Sequence, residues 1–338
     1  PHFLLSYRSA INAMALHNTS MMSLSSFSQR SNRRFRKLAT RVGSGLLAVG
    51  LSATVALPSF AADPFRATNP YGIGDLTEDA FTAIFEDGDY VSAKEILAQA
   101  ETAEPNEPLV HAMLASMAYL EGDLNGVLDR ANLTQQAADS MLSSDSESLR
   151  GHLYSAVGTF LEGAYILKAQ GVAEGTPEAL GMLQEVFTSL DRAEEIAPDD
   201  PELNLLKGYM DLMLAVNLPF SNPDEAITRM NDFGSPTYLA QRGIAIGYRD
   251  LAEYDKALVA VNQALNVASN NPELLYLKAQ LLVRQGDREA SLPLFAQALQ
   301  SADQLPARLA FQIRWEECQA IAAEGVDCTQ HLPSRNGF

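Results

Sequence analysis

Two cysteines, Cys318 and Cys328, carry the most definite chemistry in this chain, and they stand ten residues apart near its C-terminal end. In an oxidising compartment such a pair closes a disulfide. It would tie a Trp315-Glu316-Glu317-Cys318 helix to the return segment 325–328 and contribute about 2.5–3 kcal/mol in the chain-entropy model. A redox pair expects the closer Cys-x-x-Cys spacing, so a structural staple is favoured over a redox couple or two free thiols. Beyond residue 62 three histidines remain, His111, His152 and His331, and none stands at metal-ligand spacing from another. Neither Cys-x-x-Cys nor His-Glu-x-x-His occurs. Gly72-Ile73-Gly74 lacks the third glycine and the preceding strand of a dinucleotide loop. The acidic, serine-rich stretch 139–147 lacks calcium-loop spacing. Met210, Met213 and Met230 offer either an adaptable binding patch or, at helical spacing, a piece of core. The sequence assigns no catalytic residue, no metal ligand and no cofactor.

The elements that must position these residues are helices. Ala245, Tyr248, Ala252, Val261, Ala264 and Leu265 each have a counterpart 34 residues later: Ala279, Leu282, Gly286, Phe295, Ala298 and Leu299. Phe81 and Gly88 map in the same way onto Ala115 and Gly122. A period of 34 with small residues at fixed places predicts stacked helix–turn–helix units, which build an extended concave surface. Helix starts recur as a cap residue, then proline, then a carboxylate: Thr176-Pro177-Glu178, Asp200-Pro201-Glu202, Asn222-Pro223-Asp224 and Asn271-Pro272-Glu273. Proline at the first helical position loses no bond, and the early carboxylate faces the positive end of the helix dipole. Asp75-Leu76-Thr77-Glu78 reads as a capping box. A long helix is expected from 147 to about 170, then a break over 171–176, then a second helix from Pro177 to Ala197.

The register resembles the tetratricopeptide repeat (TPR). That family prefers small residues at positions 8, 20 and 27, large ones at 11 and 24, Gly at 15 and Pro at 32. Residues 74–107 match with Gly88, Ala93, Leu97, Ala100 and Pro105, and 108–141 match with Ala115 and Gly122, although Val127 replaces the alanine at position 20. Residues 238–271 match with Ala245, Tyr248, Ala257, Val261 and Ala264. Residues 272–305 match with Ala279, Leu282, Gly286, Phe295 and Ala298, with Ser291 at position 20. Small residues let helices approach closely while larger ones fill the space between them. The resemblance implies an all-α, right-handed α-solenoid of five to six helix pairs. It also implies a concave face lined by positions 2, 5, 9, 12 and 13 of each first helix. In the last two repeats that face would carry Arg242, Arg249, Tyr276 and Arg284, with Tyr209 and Leu212 supplying apolar contact in the fourth. A forked guanidinium suits carboxylates, so the partner implied is a protein or peptide with an acidic end. The alternative is that these arginines pair with Asp250, Glu253 or Glu273 nearby.

Charge supplies the address. Residues 1–62 hold seven basic residues and no acid, whereas all 42 acids lie from Asp63 onward with 17 bases, a net charge of −25. Arg30, Arg33, Arg34, Arg36, Lys37 and Arg41 precede an uncharged stretch, 42–57, and Ser59-Phe60-Ala61 places small residues at −3 and −1 of a cleavage site. This reads as a secretory signal peptide on the general export route, with the mature chain starting at Ala62. Met21 and Met22 are better starts than Pro1. The stretch is too short for a comfortable membrane span of about 20 residues, and the mature chain has no second one. The strong acidity argues against nucleic acid and anionic membranes.

The organisation expected is an N-terminal extension and signal peptide over 1–61, an extended leader over 62–73 and a solenoid over 74–305. The solenoid's middle repeats, 142–237, are degenerate, and a capping helix and tail follow over 306–338. The pattern also resembles exported TPR proteins of cyanobacteria, which implies the periplasm or the thylakoid lumen. The function expected is a non-enzymatic protein-binding scaffold, serving in assembly or maintenance of an envelope or membrane complex. A small-molecule or lipid carrier, or a helper domain of an envelope enzyme, is the alternative.

Overall fold

The computed structural model describes residues 63–217, 223–321 and 328. The expected signal peptide and cleavage site, and most of the insertion around 217–221, lie outside them. The described residues form thirteen helices and no strand.

They run as six pairs and a cap. Pair one is α1 (Asp75–Thr82, continued by a π-turn over Ala83–Asp87) and α2 (Tyr90–Ala103). Pair two is α3 (Pro108–Glu121) and α4 (Leu124–Ser144), and pair three is α5 (Leu149–Ala169) and α6 (Val172–Ile196). Pair four is α7 (Pro201–Asn217) and α8 (Pro223–Asp232), and pair five is α9 (Thr237–Asp250) and α10 (Tyr254–Val267). Pair six is α11 (Pro272–Gln285) and α12 (Arg288–Ala298), and α13 (Ala307–Ile321) closes the array. Each helix packs on its neighbours in sequence, which makes the molecule an all-α solenoid.

The small residues of the repeat are where the packing argument puts them. Ala93, Ala100, Ala115, Ala245, Ala257, Ala264, Ala279 and Ala298 are fully buried, as are Val127 and Ser291 at position 20. Ser291 satisfies its hydroxyl by donating to the Arg288 carbonyl. Met210, Met213 and Met230 are buried too, so the methionine patch is core.

Local signals set most helix starts. Asn271 accepts from the backbone N–H groups of Glu273 and Leu274, and Asp200 accepts from Leu203. Two starts differ from expectation. The α1 cap is Gly74, which has no side chain to offer. The free N–H groups of Leu76 and Thr77 donate instead to the Glu104 carboxylate, from beyond the end of α2. Nor does α6 begin at Pro177: it starts at Val172, with Gly171 at φ +83° as the break. Gly175 donates to the Gly171 carbonyl, so the helix is already running when it reaches the proline. Gly175 is buried against the end of α5, where a Cβ would stand 3.2 Å from the Ile166 carbonyl.

The solenoid curls onto itself. Asn271, at the start of α11, donates its side-chain amide to the carbonyls of Phe85 and Glu86 at the end of α1. The Tyr90 N–H donates to the Gln304 carbonyl, 3.0 Å away. Gly88 holds φ +73° with Pro272 so close that a Cβ would lie 2.6 Å from its ring. Glycine is required there twice over, for the backbone conformation and for the contact. The first pair therefore packs against the sixth, and the inner face is partly closed.

Candidate functional site

The starts of the first helices converge on a buried cluster of charges. Glu107 caps α3, Arg150 is the second residue of α5, and Asp200 and Glu202 flank Pro201 at the start of α7. Arg66 reaches them from the leader. Its guanidinium donates to both oxygens of Asp200 at 2.7–2.9 Å, to Glu202 at 3.0 Å and to Asp63 at 2.9 Å. Arg150 forks onto Glu107 at 2.6 and 2.9 Å and onto Glu202 at 3.1 Å. Tyr154 donates its hydroxyl to Glu202 at 2.6 Å. Glu202 is 0% exposed and accepts from three donors on two elements.

Ion pairs taken out of water need close geometry and saturated lone pairs to hold. Burial alone would lower the Arg66 and Arg150 pKa values, but Glu202 and the other carboxylates carry both above the ordinary guanidinium value. Burial, reinforced by Glu202, pushes the Tyr154 phenol up. Both arginines stay charged and Tyr154 stays protonated through the physiological range. Each guanidinium also lies over an aromatic ring, Arg66 on Tyr71 at 4.1 Å and Arg150 on Tyr154 at 5.0 Å. Each of these charged groups is paired with another. What the arrangement does is hold a guanidinium.

A smaller cluster follows along the same side. Arg242 donates to Glu273 at 2.5 Å, and Glu273 also accepts from the Tyr90 hydroxyl at 2.7 Å. This places the six residues expected to line the groove. Arg242 is buried and committed to Glu273, the pairing weighed as the alternative. Tyr276 and Leu212 are 1% and 4% exposed and belong to the core. Tyr209 is half-buried, its hydroxyl bonded to the Leu239 carbonyl. Arg249 is half-buried and bonds Asp250 and Gln280. Arg284 is exposed. Arg249, Gln280 and Arg284 still share one surface, because residues four apart on α11 lie on one helix face, and Gln280 continues the chain of bonds to Tyr276 and Glu316. Arg242 is withdrawn from it through Glu273, which the first pair's Tyr90 also meets, whereas Tyr276 packs on Phe295 of α12 and Leu212 on Gly247 of α9.

The buried cluster is not legible in the sequence. Asp200 and Glu202 read as a helix start, and that reading accounts for both without asking what else they meet. One signal is present: Arg66 is the only base between residues 63 and 93 of an otherwise acidic stretch.

On the outer side, a cleft of about 440 Å³ opens between the α6–α7 turn and α8, with Pro198, Asn204, Arg229 and Phe233 in its wall. Arg229 donates to Asn204 at 2.9 Å and pairs with Glu194 at 2.7 Å, while its Nε finds no acceptor. Burial works against the Glu194 carboxylate, but bonds from Lys207 and Arg229 hold it below its ordinary range. Burial pushes the nearby Asp211 carboxyl up to about 6 against the pull of Lys207 and Arg229. Cys318 and Cys328 are joined in a disulfide, their Cα atoms 6.0 Å apart. Among the described residues no three side chains are grouped to hold a metal ion, and no helix is long and apolar enough to cross a membrane.

No family model and no curated protein matches the chain. Among solved structures it is similar to that of a thermophilic TPR protein of Thermus thermophilus. The identity is 19% over 73% of this chain and 96% of that one, with a TM-score of 0.30. The fold assignment accordingly stands on the helix pairing and the buried small residues described above.

Proposed function

We propose that the protein is an exported, non-enzymatic scaffold whose TPR-like solenoid holds a protein partner. We place it in the periplasm or thylakoid lumen, in the assembly or maintenance of an envelope or membrane complex. One observation carries the binding part. The solenoid already seats an irregular segment, its own leader, through an arginine that joins the fourth pair and, by way of Glu202, the third and second. A surface built to hold extended chain is what a peptide-binding scaffold needs. The export part is supported by the charge asymmetry at residue 62. Cleavage after Ala61 would leave the Asp63 anchor in place.

The lipid-carrier alternative loses its support, because Met210, Leu212 and Met213 are packed inside. The free end of the inner face is the surface of Arg249, Gln280 and Arg284, which suits an acidic group on the partner. The test is capture of the partner by full-length chain from the native envelope, compared with Arg284→Glu. Arg284 is the cleaner probe because Arg249 is tied to Asp250 and Gln280. Reversal should weaken binding by about 1.5–3 kcal/mol if Arg284 makes a charge-assisted bond, and added salt should do the same. Binding unchanged by both would move the partner to the outer cleft.

A further inference from the structure

Resting on that scaffold reading, we infer that the leader 63–74 is an exchangeable occupant of the solenoid. The partner segment it stands in for presents an arginine beside an aromatic residue.

The leader is attached as a bound peptide is attached. It has no regular secondary structure. Its backbone bonds run within itself, from the Arg66 N–H to the Asp63 carbonyl and from the Ile73 N–H to the Tyr71 carbonyl. Residues 67–72 are exposed. The grip comes from side chains: Phe65 sets its ring edge-on to Phe81 at 5.0 Å, and Arg66 forks onto Asp200 and reaches Glu202. Ile73 anchors the far end, buried where the leader enters α1.

The acceptors that face Arg66 from outside the leader all lie at the start of α7. The helices contribute Glu107, Asp200 and Glu202 against the single cation Arg150, an excess of two negative charges in a buried place. Such an excess calls for a cation from outside the helices. The double contact with Asp200 selects a planar guanidinium over a lysine ammonium. Arg66 supplies that guanidinium from a tether only eight residues before the cap of α1, and it brings its own counter-ion, Asp63, so the leader pairs Asp200 and Glu202 without changing the total charge. A segment with the same Phe-Arg pair supplies it equally well, and the exposed stretch 67–72 gives the leader room to swing away. Its release gives up the Phe65–Phe81 contact, which the aromatic residue of an incoming segment would replace.

The test uses the full chain and a synthetic peptide copying residues 62–73. Wild-type protein should bind the peptide weakly, because its own leader competes at high effective concentration. Arg66→Ala should bind it at least about tenfold tighter, and a peptide with glutamine in place of the arginine should lose that gain. The inference is overturned if folded Arg66→Ala binds no better than wild type, or binds both peptides alike. Should Arg66→Ala fail to fold, Arg66→Lys is measured in the same way. If neither folds, the leader is a fixed structural element and the inference falls. A mixed dimer of wild-type and Arg66→Ala chains would assign the vacated site to a second copy and likewise overturn a separate partner. Partner capture that responds to Arg284→Glu is read independently, so the scaffold reading and the exchange can fail separately.

Discussion

The two ends of the solenoid are closed by opposite means. At the N-terminal end the leader is held by buried charge, with Arg66 among Asp63, Asp200 and Glu202. At the C-terminal end α13 buries Leu309 and Ile313 against the array, and the Cys318–Cys328 disulfide ties the segment that follows back onto α13. A solenoid end exposes an apolar face that must be covered. At the C-terminal end the apolar side of α13 covers it. Ion pairs hold the leader only while a matching charge is in place, which is the basis of the exchange inferred above. The repeats differ in the same sense. Pairs five and six, near the disulfide, keep the 34-residue spacing with alanines in the core. Pairs three and four, around the charges, have 21- and 25-residue helices in one and a short 10-residue helix in the other.

The comparison breaks most sharply at Glu202. Glu202→Ala removes the acceptor shared by Arg66, Arg150 and Tyr154 and leaves the buried Tyr154 hydroxyl and part of each guanidinium without that acceptor. It should cost about 3–5 kcal/mol, read by denaturant unfolding. A loss below about 1 kcal/mol would show that the cluster is hydrated and contributes little.

Cys318→Ser, at the other end, should cost about 2.5–3 kcal/mol in the chain-entropy model for a loop of this length. An unchanged melting temperature would show that tying α13 to the segment after it adds nothing to stability.

Asp211, near Lys207 and Arg229 by the outer cleft, adds a pH dependence. Its folded pKa, about 6, lies above the ordinary 3.8. The folded state therefore binds this proton more tightly than the unfolded one. The benefit is present below the ordinary pKa, is lost as pH rises through 6, and leaves a constant penalty above. Asp211→Asn should remove the penalty and raise stability at about pH 8 by on the order of 1–2 kcal/mol, with little gain near about pH 4. Melting curves at the two pH values check this, and equal gains at both would point to packing instead.

The smallest effect is expected in the regular half. Ala252 sits at φ +62°, whereas the matching positions hold Gly122 at +83° and Gly286 at +91°. An alanine in that conformation costs about 1 kcal/mol, so Ala252→Gly should stabilise by about that amount. A loss on melting would mean that chain entropy outweighs strain at this turn.

Residues near one another in sequence explain what was legible. The 34-residue spacing, the buried alanines and the starts at Asp200 and Asn271 are local or periodic. Each can be read because a helix brings i, i+3 and i+4 together whatever surrounds it. The meeting of Arg66 with Asp200 and Glu202 spans more than 130 residues, and no period connects them. The same holds for Glu104 capping α1 and for Asn271 binding the end of α1. A carboxylate after a helix-initiating proline looks the same whether it faces water or a buried guanidinium. Only the curl of the solenoid, which carries the first pair against the sixth and the leader against the fourth, decided which of those charges would be buried. The sequence by itself determined the helices, their pairing and their small-residue seams, because those depend on near neighbours. The tertiary structure decided the inner face, because electrostatic partners are chosen by proximity in space.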